Sequence, residues 1–182
     1  MYIEDVGDSG LRYEWDGTQF VKVERKHIYA LYGFGFSNIM LRERMPFDIP
    51  GYQTVRIESD NEYEFIYEIR KDGESDPTLV FHANQDLDLV DIEICTDRYA
   101  NVYGIYPGMP YQDFMDIVNE YNSYFEEEPY LSVVADMDDR FAYIFWGFDE
   151  DYYYLVDKKY IKGDKVAPNA KIARVGATSA VG

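Results

Sequence analysis

Apolar and polar residues alternate with a period of two along most of this chain, and this pattern constrains the fold more than any other feature. Such alternation is typical of β-strands that bury one face of a sheet. In the clearest segment, 63–70, aromatic or aliphatic residues occupy every odd position. Turn signals such as Asp16-Gly17 and Asp72-Gly73 separate successive strands. The pattern therefore predicts many short strands, joined mainly as antiparallel hairpins.

The strands can be placed approximately from the alternation. The predicted strands cover residues 11–15, 19–23, 53–58, 63–70, 78–82, 89–96, 99–106, 130–135, 140–148, 152–158 and 170–175. We expect the last of these to be an edge strand. Residues 27–41 are apolar and contain two glycines, so either a strand pair or a buried loop is predicted there.

One segment has the period of a helix. Its apolar residues recur at the 3.6-residue spacing of one helical face: Tyr111, Phe114, Ile117, Val118, Tyr121 and Phe125. Pro110 suits the first turn, where a missing N–H costs nothing, and Pro129 prevents continuation. The predicted fold class is α+β, a mainly antiparallel β-sheet meander with one amphipathic helix, at about 111–125, packed on it.

The length of 182 residues suits a single domain, which we predict to span 1–175. Pro46, Pro50 and Gly51 interrupt the chain and mark 1–50 as a possible N-terminal subregion. Residues 176–182 are small and weakly patterned, and a flexible tail is predicted for them.

The net charge of -18 is concentrated in one region. Between Asp113 and Asp151 there are twelve carboxylates and a single base, Arg140. Because the same region carries the helix pattern and the most aromatic strands, we interpret it as folded and acidic. Such a field disfavours nucleic acid and anionic membrane surfaces, and it attracts cationic partners.

No catalytic constellation is evident. The sequence has no Gly-x-Ser-x-Gly elbow, and both histidines, His27 and His82, sit in apolar strand-like runs. Cys95 is the single cysteine, so no intrachain disulfide forms, and we interpret it as a core residue rather than as a partner of His82. The turn at Gly104–Gly108 is interpreted as a strand-to-helix corner rather than a phosphate site. We therefore expect a non-enzymatic protein with no cofactor.

The acidic turns are candidate metal sites. Asp136, Asp138 and Asp139 begin like a calcium loop, but Phe141 stands where such a loop needs glycine, and Gly147 stands where it needs glutamate. A looser site that joins both acidic turns is the alternative if the two hairpins lie side by side. The favoured interpretation is a pair of solvated turns, and no metal site is predicted.

A resemblance points to a compartment. Residues 90–96 (VDIEICT), Tyr99, the corner 104–109 (GIYPGM) and Phe114 resemble a segment of small Gram-negative envelope lipoproteins, including stress-regulated lipoproteins of uncharacterised function. The resemblance implies an envelope location and a binding or structural role. The sequence shows no signal-peptide pattern and no apolar run of the roughly 20 residues that a membrane helix needs. The expected location is periplasmic or secreted if a signal peptide was removed, and otherwise cytoplasmic.

Two functions are compatible with these features. The first is an envelope or secreted domain that binds a ligand or protein partner through an aromatic-rich face. The second is a cytoplasmic immunity-type protein that neutralises a cationic toxin. The predicted partner-binding residues are Asp136, Asp138, Asp139, Asp149, Glu150, Asp151, Trp146, Tyr152 and Tyr153.

Overall fold

The computed structural model describes residues 11–24, 26–60, 62, 64–134, 139–148 and 151–179. The elements are β1 Leu11–Trp15, β2 Phe20–Glu24, β3 Ile28–Tyr32, β4 Gly35–Phe36, β5 Ile39–Met40, β6 Tyr52–Ile57, β7 Phe65–Lys71, β8 Pro77–Ala83, β9 Leu89–Ile94, β10 Tyr99–Asn101, α1 Tyr111–Asn122, β11 Tyr130–Val134, β12 Phe141–Gly147, β13 Tyr152–Asp157, a 3-10 turn Lys158–Tyr160, β14 Ile161–Lys162, β15 Lys165–Val166 and β16 Arg174–Thr178. The predicted α+β class, with a mainly antiparallel sheet and one α-helix, is confirmed.

An eight-stranded antiparallel sheet forms the body of the protein. Its order is β11-β12-β13-β16-β9-β8-β7-β6. Two meanders, β6 to β9 and β11 to β13, follow the chain as predicted, because short turns connect strands that pair directly. The strand β16 joins the two meanders through hydrogen bonds to β13 and to β9.

The C-terminal predictions are wrong in two respects. The last strand, predicted as an edge strand over 170–175, is Arg174–Thr178 and lies in the middle of the sheet. The predicted tail at 176–182 fails for its first residues, since Gly176, Ala177 and Thr178 are buried in that strand. Residues 180–182 lie outside the described part of the chain. A residue without a side chain is needed at Gly176 because the ring of Tyr153 lies over the strand there.

The two faces of the large sheet differ. One face forms the main core, where Tyr154 and Ile92 pack with the helix residue Phe114. Side chains alternate along each strand, so the next residues point to the opposite face. That helix-free face carries a smaller cluster around Phe141, Tyr153 and Leu155, together with a set of charged residues described below.

A small sheet covers part of the main core, in the order β10-β3-β4-β5. The predicted strand 99–106 ends at Asn101, and β10 pairs in parallel with β3. Buried residues on both sides of the break at 46–51, such as Leu31 and Ile69, belong to one core cluster. The break is therefore a surface turn and does not separate two cores.

The helix α1 packs on the main core through Phe114 and Val118, which are fully buried. It ends at Asn122 rather than at the predicted residue 125. At this end the Ser123 hydroxyl donates to the carbonyl oxygen of Glu120 at 2.6 Å. Within the described chain, no helix has the length and apolar character needed to cross a bilayer.

Candidate functional site

Asp139 and Asp151, the described residues of the two acidic segments, lie at opposite ends of β12. Asp139 precedes this seven-residue strand and Asp151 follows the turn after it, so about 20 Å of extended chain separates them. The hairpins do lie side by side, but a single ion shared by Asp139 and Asp151 is excluded. Asp136, Asp138, Asp149 and Glu150 lie outside the described residues.

The three predicted contact aromatics are interior residues. Trp146, Tyr152 and Tyr153 are 1%, 6% and 3% exposed. The Trp146 and Tyr152 rings pack in the main core, and Tyr153 lies on the opposite face of the sheet. Both faces of β12 and β13 are covered by other side chains, so these three rings offer little surface to a partner.

Other aromatic residues line the edge of the sheet. Among the strands that the structure describes, β11 is an edge strand and pairs only with β12 in the large sheet. Ser132 is opposite Phe145 and Val134 is opposite Tyr143, which places Tyr130 on the same helix-free face. Tyr130 is 50% exposed, whereas Tyr143 and Phe145 are partly exposed and stack on each other.

Carboxylates precede this edge directly. Glu126, Glu127 and Glu128 are exposed in the loop between α1 and β11. Among ion pairs between described residues, Lys159 contacts Asp157 and Arg174 contacts Glu93, and none reaches the three glutamates. We call β11, the rings of Tyr143 and Phe145, and Glu126–Glu128 together the acidic-aromatic edge.

A charged cluster is buried on the helix-free face. Glu93 is 2% exposed and accepts from His82 Nε2 at 2.7 Å. Arg174 Nη1 and the Tyr153 hydroxyl each donate to Glu93 at 3.2 Å. His82 Nδ1 lies 2.6 Å from Glu64 Oε1. Strand register explains why Tyr153 lies near Glu93. Glu93 is paired with Gly176, which in turn is paired with Tyr153.

The pKa values in the cluster follow from burial and charge. Burial alone would lower the pKa of His82, but hydrogen bonds to Glu64 and Glu93 outweigh it and raise the pKa to about 10. Burial would raise the pKa of Glu93, but the contacts with His82 and Arg174 hold it below its usual value. Burial raises the pKa of Asp91, the cross-strand neighbour of His82. His82 is therefore an imidazolium between carboxylates at neutral pH.

We expect alkali to weaken the fold through His82. Because its folded pKa of about 10 exceeds the ordinary 6.5, protonated His82 stabilises the native state fully below pH 6.5. This contribution falls by about 1.4 kcal/mol per pH unit above 6.5 and is lost once the pH passes 10. Urea unfolding between pH 7 and 10 measures it. The wild-type free energy of unfolding should fall more steeply than that of His82→Gln, and parallel slopes would contradict the assignment.

The Cys95 thiol is expected to be unreactive. Burial raises its pKa to about 12, although the charge of Arg174 opposes this. At pH 8 an aromatic disulfide reagent should modify native Cys95 about a hundredfold more slowly than the urea-unfolded chain. The native rate should rise about tenfold per pH unit up to pH 10, since only the thiolate reacts. A plateau near pH 9 would show an ordinary thiol instead.

A cleft of about 700 Å³ opens at one end of the sheet, lined by residues of both charges, including Lys71, Asp97 and Arg98. The corner before α1 lies beside it. There Gly108 N–H donates to the Ile172 carbonyl and Tyr111 N–H to the Ala170 carbonyl. These backbone groups are already hydrogen-bonded, which supports the interpretation of a structural corner.

Sequence reasoning missed the charged cluster. His82 was interpreted as one residue of an apolar run, and Glu93 as one polar position of an alternating strand. The sequence did contain a signal, because Asp91, Glu93 and Cys95 are spaced two residues apart. In a strand this spacing puts both carboxylates on one face of β9. Only the strand order brings His82 and Arg174 to that face.

The comparisons with known proteins give only weak structural likeness. No model of a protein family matches the chain, and no curated protein matches it. Among solved structures, the crystal structure of the uncharacterized protein yfeY from Escherichia coli is similar at 12% sequence identity and a TM-score of 0.44. The match covers 70% of this chain and 80% of that one. No functional statement follows from it.

Proposed function

We propose that this chain is a non-enzymatic bacterial envelope or secreted domain that binds an extended, cationic segment of a partner protein at its acidic-aromatic edge. The observation that carries the proposal is the coincidence of an edge strand, partly exposed rings and carboxylates without basic partners among the described residues. The envelope location rests on the resemblance of residues 90–109 to envelope lipoproteins.

Backbone hydrogen bonds would supply the affinity. Alternate N–H and C=O groups of an edge strand point away from its sheet and pair readily with an added strand. The strand β11 is five residues long and begins with two exposed residues, Tyr130 and Leu131. Its opposite counterpart β6 is less open, since the Thr54 hydroxyl donates to the Phe47 carbonyl in the segment beside it.

Side chains would supply the selectivity. Every second residue of an added strand falls on the helix-free face, next to Tyr130 and Ser132. Lysine or arginine at those positions would meet aromatic rings and nearby carboxylates. A cation over an aromatic ring is worth about 0.5 to 2 kcal/mol, depending on how far it is desolvated. Glu126, Glu127 and Glu128 would attract the same cations from a distance and speed association.

Selection of random peptides from a display library on the wild-type protein tests the proposal. We expect the recovered peptides to alternate lysine or arginine with apolar residues. A variant with Glu126→Lys, Glu127→Lys and Glu128→Lys should bind them at least tenfold more weakly. Association with the wild-type protein should slow steeply as salt is added, because exposed charges are screened.

Two single substitutions localise the site. Ser132→Lys places a cation on β11 and should weaken binding, whereas Gln53→Lys makes the same change at an exposed position on the opposite edge and should leave binding unchanged. Peptides without basic residues, or peptides indifferent to the triple charge reversal, would refute the proposal.

A second candidate function uses the same edge. The concentration of twelve carboxylates against one base between Asp113 and Asp151 favours an immunity-type protein that neutralises a cationic toxin in the cytoplasm. The sequence upstream of the gene and the neighbouring genes distinguish the envelope role from the immunity role. An upstream signal peptide or lipobox would exclude the immunity role, and an adjacent toxin gene with a native Met1 would exclude the envelope role.

A further inference from the structure

We propose that Glu64, His82 and Asp91 form a binding site for a divalent transition-metal ion, with Zn²⁺ as the best-matched ion. One ligand atom from each residue lies within 4.8 Å of the other two. The three residues come from adjacent elements, since Glu64 precedes β7, His82 lies on β8 and Asp91 on β9. The sheet itself therefore holds them together.

The donor set selects the class of ion. An imidazole nitrogen suits zinc and its neighbours, whereas calcium and magnesium prefer sites made of oxygen alone. Catalytic and other open zinc sites commonly have three protein ligands drawn from histidine and carboxylates, with water in the fourth position. One histidine with two carboxylates fits that description.

Glu93 orients the histidine for this role. The Nε2–H of His82 donates to Glu93, so Nδ1, which faces Glu64, is the nitrogen that an ion would bind after displacing its proton. A metal-binding histidine usually donates its other N–H to a carboxylate, which fixes the ring and its tautomer. Arg174 and Tyr153 hold Glu93 in turn, which makes the support rigid.

An opening reaches the cluster. Glu64 lines a cavity of about 250 Å³ together with Arg56, Glu58 and Glu62. An ion can therefore enter on the Glu64 side, and the cavity leaves space for a water molecule as a further ligand. Glu93 and Tyr153 do not line this cavity and are buried.

Titration of chelator-treated protein with ZnCl₂ by calorimetry tests the site. We expect one saturable site per chain, weakened at least tenfold by Glu64→Gln and by Asp91→Asn. Glu58→Gln, which neutralises a carboxylate of the same cavity outside the cluster, should leave the affinity unchanged. Both cluster variants keep the size of the side chain, and circular dichroism checks that they fold.

X-ray absorption at the zinc edge identifies the ligands. The chain has two histidines, so the imidazole signal should persist in His27→Ala and disappear in His82→Gln. Absence of saturable binding would overturn the proposal. Zinc affinity that is equal in wild type, Glu64→Gln and Asp91→Asn would also overturn it, because such binding would be that of surface carboxylates on a chain of net charge -18.

Discussion

Replacement of Glu93 by alanine is expected to lower the free energy of unfolding by about 4 kcal/mol, a typical cost of removing one partner from a buried ion pair. Glu93 accepts hydrogen bonds from His82, Arg174 and Tyr153. Its loss removes the acceptor that Arg174 and the Tyr153 hydroxyl share, and it leaves His82 paired with Glu64. Urea unfolding at pH 7, followed by circular dichroism, measures the change.

Glu68→Ala is the matched control. Glu68 lies on the same face, in the row of residues that pairs it with Val80 and Val80 with Glu93. Its carboxylate forms an ion pair with Arg70, and the two side chains are 20% and 30% exposed. Partly exposed pairs contribute little, so we expect a loss of about 0.5 kcal/mol. Equal losses for Glu93→Ala and Glu68→Ala would contradict the central position of Glu93.

The substitution Gly176→Ala is expected to cost about 3 kcal/mol, although it adds a single methyl group. A Cβ atom at Gly176 would lie 2.1 Å from Cζ of Tyr153, whose ring crosses the strand at this glycine. The ring must move, and its hydroxyl then loses Glu93. Thermal and urea unfolding of the variant measure the loss.

A double-mutant cycle tests the cause of that loss. Tyr153→Leu removes the ring and should make a following Gly176→Ala nearly neutral, since the methyl group then has room. A coupling free energy of about 3 kcal/mol is expected for residues in such direct contact. Additive losses would mean that Gly176 is needed for its backbone and not for the space that it leaves to Tyr153.

Local patterns predict the fold where neighbours in sequence are neighbours in space. The meanders β6 to β9 and β11 to β13 and the helix at Tyr111–Asn122 follow from alternation, turns and the 3.6-residue period. The position of β16 does not follow from them, because it depends on pairing with β9, about 80 residues earlier in the chain. Its glycine looks like part of a tail, and yet Gly176 is small because the ring of Tyr153 lies over it.

The candidate sites depend on long-range register in the same way. The exposure of the glutamates at 126–128 could be predicted, because the pattern places them in a loop between a helix and a strand. The burial of Tyr153 could not, because alternation alone does not say whether the helix-free face of a strand is covered. The cluster around His82 needs the order of four strands, which no local pattern contains.

Amide hydrogen exchange across β11, with and without a selected cationic peptide, tests the central claim most directly. Outward-facing amides of an edge strand exchange quickly and become protected when a second strand pairs with them. We predict slower exchange at Tyr130–Val134 in the complex and no change at Tyr52–Ile57 on the opposite edge. Unchanged exchange at Tyr130–Val134 in a saturated complex would contradict the account.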